Sequence, residues 1–66
     1  DLVQAVYWAR KSADQGNSYG QCFLAGCYFW GQGVPQDYIQ AIYWWRKAAK
    51  QGNPMAIKIL SNIENN

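Results

Sequence analysis

The sequence predicts an all-α protein, a solenoid of antiparallel helix hairpins, on three observations. The chain repeats itself: displaced by 36 residues, 12 of the 30 overlapping positions are identical. Each period carries two sets of helix start and stop residues. No stretch alternates polar and apolar residues as a strand would. A period of this length marks units that bury their apolar faces only by stacking on a neighbour. The 66 residues hold about 1.8 periods, so the chain is expected to be one domain-sized piece, residues 1–66, of a longer array.

Four helices are expected, at about 2–15, 18–30, 37–51 and 54–63. The first opens on Asp1 with Gln4 three residues on, a capping-box spacing, and stops at Gly16-Asn17. Asn17 caps the second, which ends in Gly31-Gln32-Gly33-Val34-Pro35-Gln36. Glycines and a proline so close together forbid helical continuation. Asp37 and Gln40 open the third helix as Asp1 and Gln4 open the first. Its apolar and small residues Tyr38, Ala41, Trp44, Trp45, Ala48 and Ala49 sweep an arc of about 140° at helical pitch. Arg46, Lys47 and Lys50 lie on the other side and toward the C-terminal end, where cations favour the helix dipole. Gly52 suits the left-handed position after the helix, and Asn53-Pro54 starts the fourth.

Composition narrows the function classes. Half the residues are hydrophobic and 17% are aromatic, which excludes a disordered chain. Charged residues are 15%, the net charge is +2 and there is no histidine; no nucleic-acid footprint is expected. The longest apolar stretch, Cys22–Trp30, is nine residues, against roughly 20 for a membrane span. Cys22 and Cys27 fall at i and i+5 of one helix, with Cα atoms roughly 8–9 Å apart. A disulfide rarely tolerates more than about 7 Å, so both thiols should be free. Without histidine or a CxxC pair, no metal site is expected. The carboxylates are Asp1, Asp14, Asp37 and Glu64, and no two are spaced for acid–base work. No catalytic residue, cofactor or small-molecule substrate is therefore expected.

Gly16-Asn17, Leu24, Tyr28, Gly31-x-Gly33-Val34, Asp37-Tyr38, Ala41, Trp44 and Lys47-Ala48-Ala49-x-Gln51-Gly52 together resemble the Sel1-like repeat, a relative of the tetratricopeptide repeat. Ser18, Gly20, Ala25, Ile57 and Ser61 depart from the family pattern, and the tail lacks its tyrosine and GxGV loop. The resemblance implies a right-handed α/α superhelix that acts as a scaffold for protein–protein contacts, with no chemistry of its own. It casts Trp8, Trp44, Leu24, Tyr28, Gly31, Gly33 and Asp37 as structural residues.

Trp8 and Trp44 sit in apolar arcs among alanines, which reads as burial between helices. Tyr7 and Tyr43 fall on the basic side, with their rings expected over lysine or arginine stems. On the second helix Tyr19, Phe23, Gly26 and Trp30 align within an arc of about 60°. Two readings of this stripe compete. A helix apolar on nearly all sides is commonly buried; the resemblance instead turns the stripe toward a concave groove. In the groove reading Tyr19, Phe23 and Trp30, with Met55 and Ile59 one repeat later, contact a protein or peptide partner. A purely architectural spacer is the alternative, and the pairs Arg10-Lys11 and Arg46-Lys47 admit an RNA-binding repeat as a third. Uncovered apolar residues at both ends raise one further expectation, self-association of the isolated chain.

Overall fold

The computed structural model describes residues 1–65 and contains four helices in the order α1 (Leu2–Asp14), α2 (Ser18–Trp30), α3 (Tyr38–Lys50) and α4 (Pro54–Glu64). These bounds differ from the expected ones by at most one residue at any end. Three of the differences are caps, since Gln15, Asp37 and Gln51 border the helices instead of lying within them, and the fourth is Glu64, which extends α4 by one residue. Asp1 Oδ1 accepts the Gln4 N–H at 2.8 Å, and Asp37 Oδ1 accepts the Gln40 N–H at 3.1 Å.

One dipeptide ends a helix and begins the next in both repeats. Gly16 and Gly52 each adopt φ +89°. The Gly16 and Asn17 N–H groups reach back to Ala13 O and Ser12 O; those of Gly52 and Asn53 reach Ala49 O and Ala48 O. This is the paired hydrogen-bond pattern of a left-handed helix stop. Each asparagine then turns its side-chain oxygen on the following helix: Asn17 accepts from Tyr19 and Gly20, Asn53 from Ala56. The connection from α2 to α3 is different. Gly31 and Gly33 have φ of +67° and +78°, and the loop crosses the start of α1. A Cβ on Gly33 would lie 2.6 Å from Leu2 O and 2.7 Å from Val6 Cγ2.

Each helix packs on the helix before it and the helix after it. The result is a slab of 32 × 23 × 15 Å. Leu24, Ala25, Ala41, Ala48 and Ala56 are fully buried along the helix contacts, and Trp45, 1% exposed, is the largest side chain within. Alanine and glycine at these contacts bring helix backbones close around the Trp45 ring. A polar pair also crosses between repeats. Buried Gln21 donates to Ala13 O at 3.3 Å and accepts from Gln51 at 2.9 Å. Buried Asn53 donates to Ser18 Oγ at 3.3 Å.

The burial expected for Trp8 is corrected. Trp44 is 7% exposed, as expected, but Trp8 at the matching position is 57% exposed. The two helices share their following neighbour, since α2 lies on α1 as α4 lies on α3. What α3 has and α1 lacks, among the described residues, is a helix packed before it. Tyr38, placed in the same apolar arc, is also exposed, its ring tilted against Phe29 at 5.0 Å between centroids.

Candidate functional site

α2 presents three faces, and each has its own cause. Gly20 and Leu24 turn to α1, where a Cβ on Gly20 would meet Ser12 and the Ala13 backbone. Cys22 and Phe29 turn to Trp45 of α3. Among the described residues no helix covers the remaining stripe. Tyr19 is 74% exposed and Trp30 60% exposed, with Phe23 between them also exposed.

That stripe forms one wall of a cleft of about 440 Å³. Met55 and Ile59 of α4 form the opposite wall. The floor is Trp45, with the Cys22 and Cys27 thiols beside it, and Gln32 and Asn53 complete the lining. All five residues expected to contact a partner therefore come together in one place. No charged side chain among the described residues lines the cleft. Gly26 keeps the wall low between Phe23 and Trp30: only the Trp30 ring lies near the position of its missing Cβ. Trp30 stands edge-on against Phe29 and Trp45, at 4.9 and 6.3 Å between centroids. Its orientation is thus set from beneath while its outer face stays open.

Sequence reasoning missed Trp45 as the floor. It shares the apolar arc of α3 with Trp44, and nothing local separates the two. The repeat does carry a signal, because Trp45 falls where the preceding repeat has Ala9. Burial pushes both thiols above the ordinary thiol range. Both cysteines are free. The indole N–H groups of Trp44 and Trp45 are buried without a hydrogen-bond partner among the described residues.

The basic residues are not among those lining the cleft, and four of the six hold partners within the chain. Arg46 pairs with Glu64 at 2.7 Å. One repeat earlier Arg10 donates to the Tyr28 hydroxyl, so position 64 takes over the role of position 28 with a carboxylate. Lys11 lies over the rings of Tyr7 and Trp8 at 5.7 and 5.6 Å, and Lys47 over Tyr43 and Trp44 at 5.5 Å each. No helix among the described residues is long and apolar enough to cross a membrane.

The family model described as the Sel1 repeat matches residues 1–17 and 18–53. The second match runs from the start of α2 through α3 to Asn53, one full period. Among solved structures, the crystal structure of a Sel1 repeat protein from Oxalobacter formigenes superposes with a TM-score of 0.93 at 41% identity. That likeness covers 96% of this chain and 25% of the other, so this chain spans a quarter of that protein's length. None of the curated proteins matches. Sel1 repeats are generally protein–protein interaction modules, a scaffold type without catalysis of its own. With its 36-residue period, its paired glycine-asparagine stops and its GxGV loop, the chain belongs to the Sel1 repeat family.

Proposed function

We propose that the cleft between α2 and α4 seats an apolar segment of a protein partner, and that the chain serves as a rigid, non-enzymatic docking unit within a longer repeat array. One observation carries this reading: Tyr19, Phe23, Trp30 and Met55 are exposed together around a single uncharged cleft. Leaving large apolar side chains in water forgoes about 1.5–3 kcal/mol each. Clustered aromatic anchors on a preformed surface are the composition of interface hot spots. The missing charge selects against acidic or basic segments, because a charge entering the cleft would lose its water and find no partner. An RNA-binding role has less support, since four of the six basic residues are engaged within the chain and none lines the cleft.

A peptide array of segments carrying two or three apolar anchors, read against the folded chain, tests the proposal. Phe23→Ser/Trp30→Ser should abolish the binding that the wild type shows, while Tyr43→Ser, away from the cleft, should preserve it. The same binding should be nearly independent of salt, because no phosphate is neutralised. Binding that survives the double substitution overturns the assignment of the cleft. A wild type that selects no segment favours the architectural spacer, and steep salt dependence favours nucleic acid.

A further inference from the structure

The chain contains one junction at which a helix of the α2 type packs on the helix that follows it, and the internal repeat places the same face on α4. At that junction α2 faces α3 through Ser18, Gln21, Cys22 and Phe29: Ser18 meets Asn53, Gln21 meets Gln51, and Cys22 and Phe29 meet Trp45. Ala25, fully buried, lies on the same helix one turn on from Gln21 and Cys22. One period later the corresponding residues of α4 are Pro54, Ile57, Lys58, Ser61 and Asn65, and all five are exposed. A thiol has become an ammonium, a fully buried alanine a hydroxyl, and an aromatic ring an amide. Asn65 and Ser61 even satisfy one another, the Asn65 amide donating to Ser61 Oγ at 3.3 Å.

The backward-facing half of α4 is kept. Ala56 and Leu60 are buried where Gly20 and Leu24 stand in α2, Ile63 packs on the core in place of Cys27, and Glu64 holds Arg46 as Tyr28 holds Arg10. The backward half keeps its packing, while on the forward half three of the five positions, 58, 61 and 65, turn polar and Gln21 gives way to an exposed Ile57. At the opposite end the pattern is reversed. Leu2, Ala5 and Trp8 of α1 occupy the positions of Tyr38, Ala41 and Trp44; Trp8 is exposed and Ala5 half-buried where Trp44 and Ala41 are buried, and Ala9 stands in place of Trp45.

We propose that stacking on this unit runs in one direction: the α1 face seats a helix with the small and apolar face of α2, and the forward face of α4 is closed to any further repeat helix. Burying Lys58 against a helix of the α3 type would strip an ammonium of water with no acidic partner on that helix, whose only acidic residue is its N-cap Asp37. The asymmetry holds whatever polypeptide precedes Asp1 or follows Asn66. It also opposes head-to-tail pairing of two copies, which would bring α4 of one onto α1 of the other.

Restoring the face of α2 on α4 tests this directly. The variant Lys58→Cys/Ser61→Ala/Asn65→Phe should stack head to tail, with a weight-average mass by sedimentation that climbs with concentration. Adding Trp8→Asp should return it to the wild-type profile. In the wild type, Trp8→Asp should leave the sedimentation profile unchanged. Helical circular dichroism and a thermal transition verify folding; if Asn65→Phe prevents it, Lys58→Cys/Ser61→Ala alone carries the same comparison. Trp8-dependent association of the wild type would overturn the closed face of α4. A folded restored-face variant that shows no Trp8-dependent association would overturn the seat on α1.

Discussion

At position 20 a glycine stands where the next repeat has Ala56, and at position 12 a serine stands where it has Ala48. A Cβ on Gly20 would lie 2.4 Å from Ser12 Oγ and 2.9 Å from the Ala13 backbone nitrogen. The second repeat solves the same contact with two alanines, both fully buried. The bulk has moved from one helix to the other. Gly20→Ala should therefore lower the denaturation midpoint by about 1–3 kcal/mol equivalent from overpacking, against about 1 kcal/mol regained in helix propensity. Ser12→Ala in the same chain should recover part of the loss, and an unchanged midpoint for Gly20→Ala would show the contact to be loose. Gly33 differs in kind, because its neighbour is a backbone carbonyl that has no rotamer to adopt. Gly33→Ala adds that clash to a positive φ, whereas Gly52→Ala has the positive φ but open space around it. Both should destabilise, by about 1 kcal/mol or more for the backbone alone, and Gly33→Ala should cost clearly more. Equal midpoints would remove the contact with α1 from the account.

Helix existence and limits were legible because each end is written in a residue with one mechanical use: Asp1 and Asp37 as caps, Gly16 and Gly52 as left-handed stops, Asn17 and Asn53 as the next caps. Which face of each helix is covered was not legible in the same way. Trp8 and Trp44 share the flanking residues Tyr7 and Tyr43, Arg10 and Arg46, Lys11 and Lys47. Their difference lies in a neighbouring helix, which no local pattern reports. Gln21 was passed over for a related reason: glutamine reads as surface until two elements close on it and satisfy both its donor and its acceptor. On α2 apolar residues point in every direction, so periodicity alone left Tyr19, Phe23 and Trp30 undecided between core and groove. The two cysteines of this helix give the element a measurable pH signature. Their thiols are held above the ordinary value by burial, so the folded state prefers them protonated. That contribution to stability is fully present below the unfolded thiol pKa and is lost as pH rises from it through the raised folded values. Alkylation at neutral pH should accordingly be slower in the native protein than in denaturant, where both cysteines should react. Equal rates in the two states would mean that α2 does not shield them.

The slab is a linear array in which each helix answers only to its neighbours, so stability should vary along it. Among the described residues α4 packs chiefly on α3, joined at its far end by the Arg46–Glu64 pair. Both partners of that pair are exposed, and such pairs contribute about 1 kcal/mol at most. The middle junction is stronger: α2 and α3 share the buried tryptophan, and two side-chain hydrogen bonds tie one repeat to the other. Amide exchange should be slowest in α2 and α3 and fastest in α4. Asn53 is where this gradient can be altered at a single residue. Its oxygen caps α4 through the Ala56 N–H, and its amide reaches Ser18 Oγ at the first turn of α2, 35 residues away. Asn17, its counterpart one repeat earlier, is exposed and caps α2 only. Removing a cap costs about 1 kcal/mol in either place. Asn53→Ala removes in addition a part-buried link between the start of α4 and the start of α2. It should raise exchange in α4 and in the first turn of α2 together, two segments that share no helix, and Asn17→Ala should raise it in α2 alone. Protection lost only in α4 would show that the two repeats are held by apolar packing and that the Asn53–Ser18 bond carries none of the coupling.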